Sequence, residues 1–556
     1  MNGRGFTRVI LSLSGLLGAC AGDAPESASD DAAAQQVAET VSVQTEEGSI
    51  VGTRDLTATG QPGPAALYPV NKFLGIPYAK PPVGPLRWKR PERPEPWSEP
   101  RDATKFGKRC AQNESLVLQN AASADEDCLY LNVWTRAAQA GEPPQPPAPV
   151  LVFIHGGGNQ NGSASEPVPY TDPAKANLFY SGHVLAGENA AVVVTLNYRL
   201  GVFGFFAHPG LTAEQSGGGN QGLYDQALAL DWVKRNIAKF GGDPERVTIF
   251  GESAGSQDVC LQVASPKSRG LFHRAISQSG GCTTLNPTRA TAEQSGQKLA
   301  AALGCDGADA LACLRSQPVS KLLAPGVTPA LSFGPIVDGD FIPDQPRTLY
   351  KKGEIAKVPY ILGSNTDEGT LFVPAVVADE AALRAALTAQ FGAASVEAIL
   401  AQYPLASFDS PREALARIVG DARLVCTTTD TAALAQASGS HVWMYNFDIG
   451  ATLPPGSTAP RLGATHGAEL VYVFGTSALF TPESAKVSAE IRASWRNFAA
   501  FGNPGVRSAS PAWPEWWPHA DARLNLALTS SVVANFRATE CAFWRARYEA
   551  AFAAAR

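Results

Sequence analysis

The feature that most restricts this chain is a β-branched run ending in a glycine-flanked serine. Val247-Thr248-Ile249-Phe250 leads into Gly251-Glu252-Ser253-Ala254-Gly255-Ser256, and a helical stretch follows through Val263. A strand that reverses into a helix within so few residues forces its serine into strained dihedrals. A side chain at Gly251 or Gly255 would then collide with the neighbouring strand or helix. In a chain with 52 glycines the bare G-x-S-x-G pattern carries little weight. The strand, turn and helix around it make it a nucleophile elbow, which leaves Ser253 exposed at a helix N-terminus where the dipole favours developing negative charge.

Such an elbow needs a sheet, and the chain supplies one. Short β-branched runs recur at Val150 to Ile154, Val192 to Leu196, Ala275 to Ser277, Val358 to Leu362 and Val442 to Tyr445. Helical patterns lie between several of them. The clearest spans Leu223 to Ile237, with Leu223, Ala227, Leu230, Val233 and Ile237 on one face. Strands alternating with helices predict a mostly parallel sheet covered on both faces, with ligands bound beyond the carboxyl ends of its strands. Residues Val41 to Thr53 alternate around Glu46-Glu47-Gly48 as an antiparallel hairpin does.

The loops at those strand ends hold the remaining candidates. Pro149 to Ile154 runs into His155-Gly156-Gly157-Gly158, whose unshielded backbone N–H groups suit an oxyanion hole. Gly157 and Gly158 are the expected donors, joined by Ala254 after the serine. The alternative is a plain glycine-rich turn. Four of the seven histidines follow Ser253. His273 comes too soon to leave a strand for an acid, His441 opens the apolar run Val442 to Tyr445, and His519 lies in a Trp- and Pro-rich stretch expected to form a surface turn. His466, in the small-residue loop Gly463 to Gly467, is therefore the expected base. Between serine and histidine, the strand at Val358 to Leu362 leads to Asp367 and Glu368, either of which can accept an imidazole N–H and fix its tautomer. The residue pattern leaves these two open, and the loser is expected to cap its loop.

At 556 residues, 45% of them hydrophobic, the chain can bury a large core. A net charge of −6 without any Lys/Arg run argues against nucleic acid or an anionic membrane surface. Residues 1–20 read as an export signal: a basic start, an apolar run from Val9 to Gly18, and Ala19-Cys20-Ala21. Leu17-Gly18-Ala19-Cys20 resembles a bacterial lipobox, with Cys20 lipidated; ordinary cleavage after Ala21 is the competing expectation. Residues 21–40 carry five acidic and no basic side chains and read as a disordered tether. Residues 41–556 are expected to form one catalytic domain. No later run is long and apolar enough to cross a membrane, so any membrane attachment is expected through the lipid alone. The expected location is periplasmic or extracellular. Eight further cysteines predict disulfides, and their spacing does not suit zinc. Neither metal nor cofactor is expected.

Assembled, these pieces resemble the type-B carboxylesterases, the cholinesterase-like branch of the α/β-hydrolases, over nearly the whole mature chain. The resemblance rests on Phe73 to Ala79 with Pro82 to Trp88, on Glu126 to Val133, on Asn220 to Gln226, on Gly241 to Pro244 and on Gly251 to Ser256. It implies an α/β-hydrolase fold with a large, mostly parallel sheet flanked by helices, an N-terminal hairpin and long insertions over the active site. It implies a Ser253, His466 and Glu368 triad acting on small to medium carboxylic esters through an acyl-enzyme, the family's Asp-Glu-Gly assigning the acid to Glu368. It implies disulfides joining Cys110 to Cys128, Cys305 to Cys313 and Cys426 to Cys541. Cys260 and Cys282 are then paired only by remainder. For Glu252 the family suggests electrostatic support of the triad, and a helix-start carboxylate is the equal alternative. Amidase, lipase or polyester hydrolase activity fits the same triad, and a non-catalytic binding module is the rival class. Choline-binding members carry a tryptophan in the loop matching 110 to 128; Ala111 to Asp127 has none, which points away from choline esters. Where the family often follows the three glycines with an aromatic residue, this chain has Asn159-Gln160-Asn161, expected to give the acyl side a hydrogen-bonding lining.

Overall fold

In the computed structural model the described residues are 39–55, 69–115, 121–138, 142–166, 179–189, 191–214, 218–324, 333–450, 462–477, 480–505 and 511–555. The signal segment, Cys20 and nearly all of the acidic tether lie outside them. The strands are β1 (Glu39–Gln44), β2 (Ser49–Asp55), β3 (Val70–Pro77), β4 (Arg101–Asp102), β5 (Tyr130–Arg136), β6 (Ala148–Ile154), β7 (Val192–Leu196), β8 (Gly242–Glu252), β9 (Arg274–Gln278), β10 (Tyr360–Asn365), β11 (Val442–Phe447), β12 (Arg523–Leu526) and β13 (Ser531–Val533). Among the described residues they form one 13-stranded sheet in the order β1-β2-β3-β5-β7-β6-β8-β9-β10-β11-β12-β13, with β4 beside β2. From β7 to β12 every neighbouring pair is parallel. The antiparallel pairs are confined to the flanks, including the expected hairpin β1–β2. This is the α/β-hydrolase fold.

The parallel centre is buried on both faces, which explains why β6 and β7 are almost wholly apolar. Successive side chains of a strand point to opposite faces. Val150, Val152 and Ile154 of β6 join a core with Leu223, Leu230 and Val233 of helix Gln221–Asn236 and Val259 of helix Ala254–Ala264. Leu151 and Phe153 join a second core with Ile491, Trp495 and Phe498 of helix Pro482–Phe501. A third core gathers Leu383, Leu387, Leu415, Ile418 and Trp544 away from the sheet.

All four expected disulfides are formed: Cys110–Cys128, Cys260–Cys282, Cys305–Cys313 and Cys426–Cys541. One expectation is corrected. The Trp-rich stretch is a surface turn only at its end: Trp513 and Trp516 are buried, the first donating its indole N–H to the Met444 carbonyl at 2.8 Å and the second to Asp521 at 2.8 Å. Trp517 and Pro518 are exposed and lead into the exposed turn that carries His519.

Candidate active site

Ser253 stands between β8 and helix Ala254–Ala264 with φ 59° and ψ −122°, a conformation most L-residues avoid. Its neighbours permit no wider turn. A Cβ on Gly255 would fall 2.1 Å from the Ile154 carbonyl oxygen, and one on Gly251 2.5 Å from the Gly255 backbone. The Ser253 N–H donates to the Gln278 carbonyl of β9 at 2.9 Å, fixing the turn to the next strand. Ser253 itself is half-buried.

β10 ends at Asn365, and a single 3-10 turn, Glu368–Leu371, follows. The Asn365 N–H donates to Glu368 Oε1 at 2.7 Å, and Glu368 Oε2 lies 2.7 Å from His466 Nδ1. A carboxylate accepts, so Nδ1 carries a proton toward Glu368, and Nε2 is the nitrogen left without one when the ring is neutral. Asp367 takes the other part. Its Oδ2 accepts the Ala464 N–H at 2.9 Å and its own N–H donates to the Ala464 carbonyl at 3.0 Å, so it holds the loop on which His466 stands. The two adjacent carboxylates, even by pattern, face different partners.

Glu252 turns toward His466. It is buried, and its Oε1 lies 3.1 Å from His466 Nε2, an ion-pair approach without the alignment of a hydrogen bond. Burial alone would lower the His466 pKa, but the charges of Glu252 and Glu368 outweigh it and raise the imidazole to about 9. Burial raises the Glu252 carboxyl in turn to about 8, against the pull of His466. A further carboxylate joins them: Glu469, fully enclosed, accepts from Asn365 Nδ2 at 2.6 Å and Gln278 Nε2 at 3.0 Å. Its position three residues after His466 is the one sequence signal for a neighbour on the same turn.

The His155-Gly156-Gly157-Gly158 turn borders the serine. A Cβ on Gly156 would sit 2.9 Å from Glu252 Oε2 and 3.0 Å from Ser253 Cβ. Gly157 and Gly158 adopt φ 105° and 65°, and their amides donate to no group among the described residues. The Ala254 amide is one of the first four of its helix, which have no intrahelical acceptor. His155 is held neutral by burial, which pushes it down to about 4. The expected polar lining is corrected at Asn159, whose side chain turns inward. It is 2% exposed and bonds to Asp258 and Tyr198. The other histidines after Ser253 stand apart: His441 pairs with Glu515 at 2.8 Å, His273 with Glu245 at 3.3 Å, and the His519 ring lies 6.3 Å from that of Trp517, tilted by 39°.

A profile described as the carboxylesterase family matches residues 39–544. Cholinesterase of Mus musculus is similar to this chain, 34% identical over 546 residues that cover 90% of this chain and 87% of its own.

Proposed function

The chain belongs to the carboxylesterase family of carboxylic ester hydrolases, and from that premise we propose that it is a type-B serine esterase whose Ser253, His466 and Glu368 act as nucleophile, base and orienting acid. The observation that carries this reading is the 2.7 Å contact of His466 Nδ1 with Glu368 Oε2 on a loop beside the strained elbow of Ser253. Glu368 holds the proton on Nδ1, so Nε2 is the nitrogen free to take the Ser253 proton as Oγ attacks the ester carbonyl. The tetrahedral oxyanion accepts hydrogen bonds from the amides of Gly157, Gly158 and Ala254. His466 then returns its proton to the departing alcohol, leaving an acyl-enzyme. Water, deprotonated by the same nitrogen, releases the acid and restores Ser253.

The imidazolium formed in each half-reaction lies between the carboxylates of Glu368 and Glu252, which stabilise it and give Glu252 an electrostatic role. Small to medium carboxylic esters are the proposed substrates. The mouse relative's name speaks of choline esters, but the missing tryptophan in Ala111 to Asp127 favours other alcohols here. Residues 1–20 are proposed as an export signal, 21–40 as a tether from a lipidated Cys20 on a bacterial membrane, and 41–556 as the catalytic domain. Four disulfides support an oxidising destination.

The test is hydrolysis of p-nitrophenyl acetate with covalent labelling by a fluorophosphonate. Ser253→Ala should lose about a millionfold in turnover and all labelling. Undiminished turnover in that variant would refute the assignment.

A further inference from the structure

Helix Ala254–Ala264 is apolar along most of its length, yet it carries a carboxylate, Asp258, with no exposure at all. Among the described residues no cation faces it. Its Oδ2 accepts the Gln226 Nε2 amide at 2.6 Å and its Oδ1 accepts the Asn159 Nδ2 amide at 3.0 Å. Burying a carboxylate is costly unless each oxygen is hydrogen-bonded, so this group constrains the partners that satisfy it. Asn159 is constrained twice more. Its Oδ1 accepts from the Tyr198 hydroxyl at 2.9 Å, a hydroxyl that also reaches the His155 carbonyl at 2.9 Å, and its backbone carbonyl accepts the Gly201 N–H at 2.7 Å. Asn159 also sits at φ 58°, the left-handed region that asparagine tolerates better than most side chains.

These bonds link two segments. Asn159 directly follows Gly157 and Gly158, the turn with positive φ whose amides no described residue accepts; Asp258 lies on the helix that begins immediately after Ser253. Three adjacent glycines have no side chains with which to hold a geometry, and a glycine turn is entropically the loosest of backbones. We propose that Asn159 and Asp258 are positioning residues, a buried amide–carboxylate clamp that ties the oxyanion turn to the nucleophile helix and so fixes the distance from the Gly157 and Gly158 amides to Ser253. The clamp rests on the reading of Ser253 as nucleophile and deepens it. It touches neither substrate nor reacting atoms, and acts through the backbone of the glycine turn. Oxyanion donors have their effect only when aimed where charge develops, and small displacements forfeit much of it.

The test uses the full chain and three variants. Asn159→Gly removes the side chain while keeping a residue at ease with positive φ. The exchanged pair, Asn159→Asp with Asp258→Asn, rebuilds the clamp with donor and acceptor swapped. The amide introduced at position 258 donates to the carboxylate introduced at position 159; the oxygen of that amide still accepts from Gln226, and the relocated carboxylate still accepts from Tyr198. Ser253→Ala is the blank. Turnover of p-nitrophenyl acetate is measured per serine titrated by fluorophosphonate, so misfolded protein does not count. Inhibition by a trifluoromethyl ketone reports the oxyanion pocket directly, because its hemiketal places a negative oxygen there. For Asn159→Gly, kcat should fall about 10- to 100-fold with KM changed less than about threefold, and the ketone should weaken by a similar factor. The exchanged pair should recover most of both losses. The clamp is overturned if Asn159→Gly keeps kcat per titrated site and ketone affinity, or if the exchanged pair folds and titrates fully yet recovers neither. Activity retained in Ser253→Ala would overturn the nucleophile assignment, and the clamp with it.

Discussion

At the scale of single residues, Asp367 and Glu368 differ by one position and by the partner each faces. Glu368→Gln can no longer fix the imidazole tautomer and should cost about 10,000-fold in kcat. Asp367→Asn keeps an acceptor for the Ala464 N–H and should cost less than about tenfold; comparable losses in the two variants would show that the acid has been misassigned. Glu252 offers a pH test. A protonated imidazole cannot accept the serine proton, so activity falls on the acid side of the His466 pKa. With Glu252 and Glu368 raising that group to about 9, the acid limb of kcat/KM should lie above the ordinary 6.5 of histidine. Glu252→Gln removes one of those charges, 3.1 Å from Nε2, and should move the limb to lower pH. A limb that stays in place in a full pH profile would sink this account. Sequence pointed to the proposed serine and histidine and to a choice of two acids, because each sits in a short loop of small residues at a strand end. It could not show that Glu252 turns toward His466 or that Asn159 turns inward to Asp258 and Tyr198, since both depend on which face of a strand end meets a segment far along the chain.

At the scale of elements, the strands most legible in sequence are those buried on both faces. β6, β7 and the second half of β8 form continuous apolar runs because so little of them meets water. The Trp513 to Pro518 segment misled for the opposite reason: its two prolines announce a turn, while the indoles of Trp513 and Trp516 are buried and find carbonyl and carboxylate acceptors. The 3-10 turn carrying Glu368 is set by packing that pattern does not reveal. A Cβ on Gly369 would lie 1.8 Å from the Ala416 carbonyl oxygen of helix Pro411–Gly420. Gly369→Ala must push the turn off that helix and carry Glu368 with it. A displacement near ~1 Å should lower kcat about a hundredfold while Ser253 still titrates with fluorophosphonate. Unchanged turnover would mean that the helix yields instead.

At the scale of the whole molecule, the cysteines connect parts that the sheet alone would leave loosely joined. Cys426 and Cys541 are 115 residues apart, and breaking the bond with paired alanines should cost about 4 to 5 kcal/mol by loop-closure entropy. Differential scanning calorimetry of the double variant checks this, and an unaltered unfolding transition would contradict it. Cys20→Ser offers a separate test of anchoring: the protein should shift from the membrane fraction to the soluble export fraction. The sulfur bridge between 426 and 541 also closes a covalent ring that contains His466 but neither Ser253 nor Glu368. A protease that cuts the backbone once anywhere inside that ring therefore liberates no fragment, and His466 stays covalently fastened until a reductant opens the second strand of its tether.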